Sequence, residues 1–350
     1  MTAIRDEWHR GGTENVAAGV FRIPLPMPND RLRAINVYAI EDATGITLID
    51  AGWATPQSRH ELERSLAEIG WRLDDIRCVL VTHHHRDHYS QAVALRREFG
   101  TTVAIGTGER ANLASVERDP RYISTEVARL LVESGGQRLL EEIRTVAAGW
   151  AQVDPADWEP ADRWLRSGEV IELGTRRLAV VPTPGHTRGH VIYHDRAAEL
   201  IFAGDHVLPH ITPSIGFEPL PTLSPLSDYL RSLDVMAGLG CNTLLPAHGP
   251  THPSATARIA ELVEHHRVRL AETSAAVGEV PRTVTEVAER LRWTRRALSF
   301  SALDTNDQIT AVIETSAHLR LLAERRDVHV WAGDDGIWRY GEAFRGAGDM

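Results

Sequence analysis

The first part of the chain alternates short apolar runs with turns and amphipathic segments. Three β-like runs lie between residues 17 and 52, and leucines at helical spacing follow over 56–70. The β-branched run 76–81 then leads directly into a histidine-rich segment. Short apolar runs bounded by turn residues indicate strands, and apolar residues every three to four positions indicate a helix. This region is therefore predicted to be a sheet with helices packed on it.

The middle of the chain departs from this alternation. A predicted helix over about 90–99 and a strand over 102–105 are followed by a long, mostly helical stretch, 108–165. Its apolar stripe consists of Leu130, Leu131, Leu139, Leu140 and Ile143. We interpret 108–165 as an insertion, which would serve as a lid, an oligomer contact or an additional helical layer. Strands resume over 169–207.

The C-terminal part of the chain has a different pattern of predicted helices and strands. A helix over 225–240 and a short strand from residue 243 precede a region of helices without intervening strands, which begins after residue 256. Two short β-like runs close the chain around Asp334-Asp335-Gly336, a turn sequence typical of a hairpin. Two domains are predicted, a catalytic domain over 1–255 and a small winged-helix-like domain over 256–350.

Composition narrows the class of protein. Hydrophobic residues make up 43% and charged residues 25% of the chain, which is ordinary for a folded globular protein. All 38 basic residues are Arg, so chemistry that needs a lysine, such as a Schiff base or a P-loop, is excluded. The net charge of −10 argues against a protein whose main role is to hold nucleic acid.

The two cysteines and the N-terminus bear on location. Cys78 and Cys241 both lie in apolar runs, which favours buried thiols in a reducing compartment over a disulfide scaffold. The first residues are charged and lack an apolar signal core, and no run of about 18 apolar residues occurs. We expect a cytoplasmic protein without a membrane-spanning segment.

The histidine-rich segment is the strongest chemical signal. The chain has 17 His in 350 residues, yet four of them lie within 83–88. Imidazole and carboxylate are ligands that suit Zn²⁺. In an extended segment His83 and His85 point to the same side because side chains alternate. Asp87 and His88, where the loop turns, can then address a second ion.

Three further residues follow predicted strands in the same way. His186 lies in Thr-Pro-Gly-His-Thr, Asp205 in Phe-Ala-Gly-Asp-His, and His248 in Pro-Ala-His-Gly. Each is a weak signal alone. Together with the first segment they make a set of seven candidate metal ligands: His83, His85, Asp87, His88, His186, Asp205 and His248.

The order and context of these motifs resemble the metallo-β-lactamase superfamily over about residues 17–250. The resemblance implies an α/β fold, a four-layer αββα sandwich with a dinuclear site at one edge of its two sheets. It also implies that His83, His85 and His186 bind the first metal, that Asp87, His88 and His248 bind the second, and that Asp205 bridges them. Asp50, in Leu-Ile-Asp-Ala-Gly, matches the acidic residue that orients the first histidine cluster.

The motifs of this chain differ from those of particular branches of the superfamily, and these differences narrow the activities that the resemblance implies. Classical metallo-β-lactamases commonly replace one of these carboxylates with Cys or Ser, whereas Asp87 and Asp205 are both present here. The complete second site disfavours the single-iron sulfur dioxygenases. The further downstream His/Asp motifs of the nuclease branches are not found. Glyoxalase-II-like, lactonase-like and related acyl hydrolases remain.

The C-terminal region resembles the winged-helix tail of the β-lactamase-like-protein-2 subgroup, as does the segment 204–213. That subgroup includes acyl hydrolases and a single-strand RNA endonuclease, so both activities stay open. Residues 251–350 carry 13 Arg against 15 Asp and Glu. A module with this balance is expected to pack against the rest of the chain or to form a homodimer rather than to bind duplex nucleic acid.

The resulting hypothesis is a metal-dependent hydrolase with two Zn²⁺, or Mn²⁺ or Fe²⁺ in their place. A bridging water with its pKa lowered from ~15.7 to about 7 would attack the carbonyl of a small thioester, lactone or ester, with Asp87 or Asp205 carrying the proton. The alternatives are a phosphodiesterase or endoribonuclease with the same two metals, and a non-enzymatic binding protein. Tyr193, His206 and His210 are candidate oxyanion donors or substrate contacts.

Overall fold

Two sheets form the centre of the computed structural model, which describes residues 7–27, 32–119, 123–147, 154–174, 176–240 and 242–343. The first sheet has its strands side by side in chain order, antiparallel from the first to the fourth and parallel from the fourth to the seventh. These strands are β1 (Glu14–Ala17), β2 (Val20–Pro26), β3 (Ala34–Asp42), β4 (Gly45–Ile49), β5 (Ile76–Val81), β6 (Thr102–Gly106) and β7 (Arg163–Leu165).

The second sheet has five strands in the order β12-β11-β10-β9-β8. They are β8 (Val170–Leu173), β9 (Arg176–Pro182), β10 (Val191–Asp195), β11 (Leu200–Gly204) and β12 (Thr243–Pro246). All neighbours are antiparallel except β11 and β12, which are parallel because helix α6 connects them.

Helices cover the outer faces of both sheets. They are α1 (Pro56–Glu68), α2 (Arg86–Phe99), α3 (Arg110–Arg118), α4 (Thr125–Glu133), α5 (Gln137–Ala147), α6 (Pro225–Ala237), α7 (Ala255–Val277), α8 (Val284–Arg290) and α9 (Thr305–Glu324). Helix α1 begins where predicted because the Thr55 side chain accepts a hydrogen bond from the Ser58 N–H and Pro56 occupies the first turn.

Three hydrophobic clusters separate four layers. In β5, Val79 faces the cluster beneath α1 and α2, whereas Leu80 faces the cluster between the two sheets. Tyr38 and Phe202 meet edge to face in that central cluster, with ring centroids 5.4 Å apart. The third cluster lies between the second sheet and the helices α6, α7 and α9. Strand alternation thus lets each sheet bury both faces, and the predicted αββα sandwich is confirmed.

The C-terminal part contains the expected three helices and hairpin. Its small sheet has the order β13-β15-β14 and consists of β13 (Arg282–Thr283), β14 (Val328–Ala332) and β15 (Trp338–Glu342). Leu270, Val287 and Ile309 belong to the same hydrophobic cluster as Ile201 of the second sheet. The packing therefore continues across residue 255. The division into two domains there and the winged-helix class stay predictions, as does a homodimer.

The three strands expected between residues 17 and 52 are present as β2, β3 and β4, and β1 precedes them as a short hairpin partner of β2. One expectation in the N-terminal half was wrong in detail. Helix α2 begins at Arg86 instead of about residue 90, so Asp87 and His88 lie in its first turn and not in the preceding loop. A carboxylate is favoured at that position because the first turn of a helix carries partial positive charge.

The insertion 108–165 is only partly helical. Helices α3, α4 and α5 are present, but its last residues form β7 and extend the first sheet. Leu131, Leu139 and Ile143 join the cluster that contains α9. The Ser134 carbonyl accepts hydrogen bonds from the Thr285 N–H and hydroxyl, at 3.0 and 2.9 Å. Helices α4 and α5 of the insertion therefore form an additional helical layer packed on the C-terminal region, whereas Leu113 of α3 belongs to the cluster on the first sheet.

Two other expectations concern location. Cys78 is half-buried, and burial raises the pKa of its thiol to about 11, as expected of an unreactive cysteine. Cys241 lies outside the described residues. Across the described ranges, every helix is too short or too polar to span a bilayer. The cytoplasmic location stays a prediction.

Candidate metal centre

Three histidine nitrogens converge where β5 ends. His83 Nε2 and His85 Nδ1 lie 3.0 Å apart, and His186 Nε2 lies 3.2 and 3.0 Å from them. The chain bends at Thr82 and His83 after β5, and the side chains of His83 and His85 still meet on one side as predicted. The three atoms are close enough for one ion to reach all of them at the ~2.0–2.1 Å of a Zn–N bond. We call these residues the first metal group.

The remaining ring nitrogens of His186 and His85 are held by oxygen atoms. His186 Nδ1 lies 2.7 Å from the Ser214 carbonyl, and His85 Nε2 lies 3.0 Å from the Phe217 carbonyl. Since a carbonyl only accepts, these nitrogens carry the hydrogen and donate it. The nitrogen that faces the cluster is then left with its lone pair, as a metal ligand requires.

Asp87, His88 and His248 form a second metal group beside the first. Asp87 Oδ2 lies 3.4 Å from His88 Nε2 and 3.3 Å from His248 Nε2. Asp205 lies between the groups, with Oδ1 3.4 Å from His248 Nε2 and Oδ2 3.6 Å from His186 Nε2. The structure thus brings all seven predicted residues together and directs the two oxygens of Asp205 toward different groups.

Several atoms at this centre fit a bound cation. His88 Nε2, His248 Nε2 and Asp205 Oδ1 are buried and make no hydrogen bond with the described residues. Buried polar atoms are nearly always paired, so three unpaired ones that face the same space call for a missing partner. Imidazole nitrogen and carboxylate oxygen are the donors that divalent metal ions take. The donor set therefore fits divalent metal.

Asp50 follows β4 with a left-handed backbone, φ +58°. Its carboxylate accepts hydrogen bonds from the Thr82 N–H and from His88 Nδ1, both at 2.8 Å. The Thr82 hydroxyl also donates to it, and the oxygen of that hydroxyl lies 3.0 Å from His83 Nδ1. Asp50 therefore orients His88 directly and His83 through Thr82, which is the place that the resemblance implies for it.

The pKa values of the histidines shift in opposite directions in the two groups. Burial lowers the pKa of His85 to about 3, and burial likewise lowers the pKa of His83 and of His186. In the second group burial acts in the same direction, but the neighbouring carboxylates outweigh it and raise the pKa of His88 and of His248. Burial opposes ionisation of Asp87, yet His88 and His248 lower the pKa of its carboxyl to about 2.

Comparison with known proteins agrees with this geometry. The model of the metallo-beta-lactamase superfamily matches residues 30–248 of the chain. The chain belongs to this superfamily. The solved structure of a metallo-β-lactamase family protein from Thermus thermophilus is similar, with a TM-score of 0.76 and 29% identity over 94% of this chain and 100% of that one.

Two relatives of this chain have names that describe hydrolases. The probable metallo-hydrolase YqjP of Bacillus subtilis (strain 168) is 25% identical over 343 residues, which covers 92% of this chain and 97% of that protein. A hydroxyacylglutathione hydrolase of Fuscovulum blasticum is 30% identical over 167 residues, 47% of this chain and 45% of that protein. The chain is a metal-dependent hydrolase, as the sequence predicted.

The three other candidate residues differ in position. The Tyr193 hydroxyl donates to the Val81 carbonyl at 2.7 Å between the sheets, so the prediction that it serves as an oxyanion donor was wrong. The His206 ring is buried against the Tyr229 ring, with centroids 5.0 Å apart, and does not belong to either metal group. His210 is half-buried close to Gly249, the residue after His248. Of the three, His210 is the one beside the second group.

Sequence reasoning missed a set of buried polar side chains behind this superfamily site. They are Asn36, His84, Glu109, Asn112, Thr187 and Glu218. Asn36 donates to the carbonyls of Pro246 and Gly249, at 2.9 and 2.7 Å, and so holds the loop of His248. The one sequence signal was His84, the fourth histidine of the cluster, which had no assigned role.

Proposed function

We propose that this chain is a dinuclear hydrolase that cleaves the acyl bond of a small thioester, lactone or ester. The main support for this proposal is that the seven predicted ligands converge, with Asp205 directed toward both groups. His83, His85 and His186 would hold one Zn²⁺, Asp87, His88 and His248 the other, and Asp205 would contact both. Mixed imidazole and carboxylate donors support Zn²⁺, with Mn²⁺ or Fe²⁺ as alternatives.

The chain's own residues would supply positioning and proton transfer. Two divalent ions held there would lower the pKa of water so that it is a nucleophile at neutral pH, and would polarise a carbonyl. Asp87, whose lowered pKa keeps it ionised, or Asp205 would carry the proton. The buried imidazoles would exclude bulk water from this space, and His210 would contact the substrate.

Two observations favour acyl chemistry. Asp87 and Asp205 are both present, so the carboxylate set is complete and differs from that of classical metallo-β-lactamases. The name of the Fuscovulum relative describes hydrolysis of an acylated glutathione, and its match covers 47% of this chain. Both support a small acyl substrate.

One feature supports the alternative, a phosphodiesterase or endoribonuclease. A cleft of about 560 Å³ has two arginines among its lining residues, Thr107, Gly108, Arg110, Ala111, Ala114, Arg188 and Thr222. Arg188 lies two residues after His186, and exposed guanidinium groups suit a phosphate. The net charge of −10 weighs against a long nucleic acid as the substrate.

The decisive experiment compares three substrate classes. Metal-free protein is reconstituted with Zn²⁺ and assayed with a thioester, a lactone and an activated phosphodiester, with Asp205→Asn as the blank. We expect turnover of acyl substrates that EDTA abolishes. Turnover of the phosphodiester alone would replace the proposal by its alternative. Less than one bound ion per chain after reconstitution would contradict both.

A further inference from the structure

A buried polar network lies behind the first metal group. Its members are His84, Glu109, Asn112, Thr187 and Glu218, and each is at most 3% exposed. Burying this many polar groups costs free energy unless they are paired, so such a network demands a structural or functional reason. None of these residues is a ligand in the proposed function. We call this set the Asn112 network.

Asn112 is the centre of the network. Its Nδ2 donates hydrogen bonds to Glu109 Oε2 at 2.8 Å and to Glu218 Oε2 at 2.6 Å. Its Oδ1 accepts from the Leu220 N–H at 3.3 Å. One amide at the start of α3 therefore joins Glu109 to a segment more than 100 positions away along the chain, the separation of Asn112 and Glu218 being 106.

Glu109 connects the network to two ligand loops. Its Oε2 lies 2.9 Å from Nδ1 of His84, the residue between His83 and His85. The Thr187 hydroxyl, next to His186, donates to Glu109 Oε1. Since an ionised carboxylate only accepts, His84 Nδ1 carries the hydrogen of the first contact. One carboxylate thus holds the neighbours of all three histidines of the first group.

Glu218 connects the network to the third supporting segment. Its Oε2 accepts from the Arg188 N–H at 2.9 Å, two residues beyond His186. Glu218 also follows Phe217 directly, and the Phe217 carbonyl fixes His85. Burial and the nearby Glu109 raise the pKa of Glu218 to about 8, whereas His84 outweighs burial and lowers the pKa of Glu109 to about 2. The pKa values of the two carboxyl groups that share the Asn112 amide are thus shifted in opposite directions.

The second metal group has different supports. Asp50 fixes His88, the Ala34 carbonyl lies 2.8 Å from His248 Nδ1, and Asn36 holds the chain on both sides of His248. Among the described residues, no side-chain hydrogen bond joins the Asn112 network to Asp87, His88 or His248. The Asn112 network therefore supports the first group, whereas Asp50 contributes to both, since it contacts His88 directly and His83 through Thr82.

We propose that the Asn112 network positions the first metal group and sets its affinity for a divalent ion, with a much smaller effect on the second group. This inference rests on the proposed metal binding. Glu109, Asn112 and Glu218 are positioning residues, since they act through His84, Thr187 and Phe217. Removal of residues that orient ligands typically costs 10–100-fold in metal affinity, and we expect a loss of about that size.

The chain offers a matched pair of variants for the test. Asn112 and Asn36 are both buried, and each donates two hydrogen bonds beside one metal group. Full-length Asn112→Ala and Asn36→Ala are titrated with Zn²⁺ while the labelled histidine rings are followed by NMR, which reports each group separately. We expect Asn112→Ala to weaken binding at His83, His85 and His186 by about 10–100-fold, and Asn36→Ala to weaken binding at His248 instead.

A second pair protects the test against a variant that fails to fold. Glu218→Gln keeps the shape of the side chain and an acceptor oxygen, so it should retain metal affinity at the first group. Glu218→Leu removes one of the two acceptors of the Asn112 amide and the acceptor of the Arg188 N–H, so it should lose that affinity. Thermal unfolding of the metal-free variants shows which of them are folded. If Asn112→Ala does not fold, the comparison of Glu218→Gln with Glu218→Leu tests the proposal in its place.

Each outcome has one meaning. Equal weakening of both groups by Asn112→Ala, or no weakening, would overturn the positioning role while leaving the two-metal hydrolase intact. Equal affinities for Glu218→Gln and Glu218→Leu would do the same. Failure of the unmodified chain to bind any ion would instead contradict the proposed function itself.

Discussion

The two halves of the metal centre draw ligands from one histidine-rich segment, yet they differ in the direction of their histidine pKa shifts and in most of their supports. His83 and His85 join His186 in a group whose pKa values burial lowers. His88 lies three residues further on, where carboxylates raise its pKa. The difference shows that the surroundings of a histidine, and not its residue type, set the direction of its pKa shift.

The supports follow the same division. The first group rests on backbone carbonyls and on the carboxyl groups of the Asn112 network. The second rests on Asp50, and its Asp87 occupies the first turn of α2. Asp205 is where the halves meet, since its two oxygens are directed toward different groups. Variants at these positions should therefore separate the halves or disable both.

The largest effect should come from Asp205→Asn, which removes the one carboxylate that both groups share. We expect loss of the second ion and a fall in kcat greater than the ~10–100-fold typical of a residue that only orients ligands. Metal content and acyl turnover measure it. Asp234→Asn, on the exposed face of α6, is the control and should behave like the unmodified chain. Full activity in Asp205→Asn would show that the bridging role is misassigned.

Asp50→Asn should affect one half more than the other. Asn tolerates the left-handed backbone at this position and keeps an acceptor for the Thr82 N–H, but it no longer accepts from His88 Nδ1. We expect Zn²⁺ affinity at the second group to fall by about 10–100-fold. NMR of labelled histidine rings during titration is the measurement. A larger loss at His186 than at His88 would reverse the comparison.

Glu218 gives the first half a pH signature. Its folded pKa of about 8 lies above the ordinary value of 4.5, so the folded state holds a proton that the unfolded state has lost between these pH values. The proton bound by Glu218 contributes fully to the free energy of unfolding below pH 4.5. This contribution declines as the pH rises from 4.5 to about 8, by at most about 1.4 kcal/mol per pH unit.

Glu218→Gln removes this proton and isolates its effect. Urea unfolding of the two proteins at pH values from about 5 to about 9 should show a decline in unfolding free energy that is steeper for the unmodified chain. The difference between them excludes every other titrating group that the substitution leaves unchanged. Parallel curves would mean that Glu218 is ionised in the folded protein.

The smallest effect should come from Thr285→Val, which lies outside both halves. The Ser134 carbonyl loses the Thr285 hydroxyl but keeps the backbone N–H of the same residue. We expect unfolding free energy to fall by about 0.5–1.5 kcal/mol, with metal affinity unchanged at both groups. Urea unfolding and Zn²⁺ titration check this. A change in metal affinity would show that the insertion acts on the centre.

Much of the site was readable from the sequence because its ligands follow strands. His83, His186, Asp205 and His248 each come just after a short apolar run, and strand ends collect at the edges of a sheet. The fold class followed from the same runs together with the family resemblance. The start of α2 was predicted about four residues too late, because four histidines and an aspartate at this point show no helical pattern of apolar residues.

The supports of the ligands could not be read in this way. Glu109, Asn112 and Glu218 lie in ordinary polar stretches with no periodicity of their own, and Asn112 meets Glu218 only because α3 packs beside the 217–220 segment. Tyr193 shows the reverse error, since its closeness to His186 along the chain predicted a role that its hydrogen bond to Val81 removes. In both cases the separation of two residues along the chain did not indicate whether they act together in the folded protein.

The sequence by itself determined which residues can bind metal and on which strands they lie, because ligand chemistry and strand alternation are local properties. Tertiary structure alone decided the protonation of each histidine and the residues that hold it. Burial and the field of distant carboxylates depend on how segments more than 100 positions apart pack together, as Asn112 and Glu218 do. The same His-rich segment therefore contributes to two groups in which histidine pKa values shift in opposite directions.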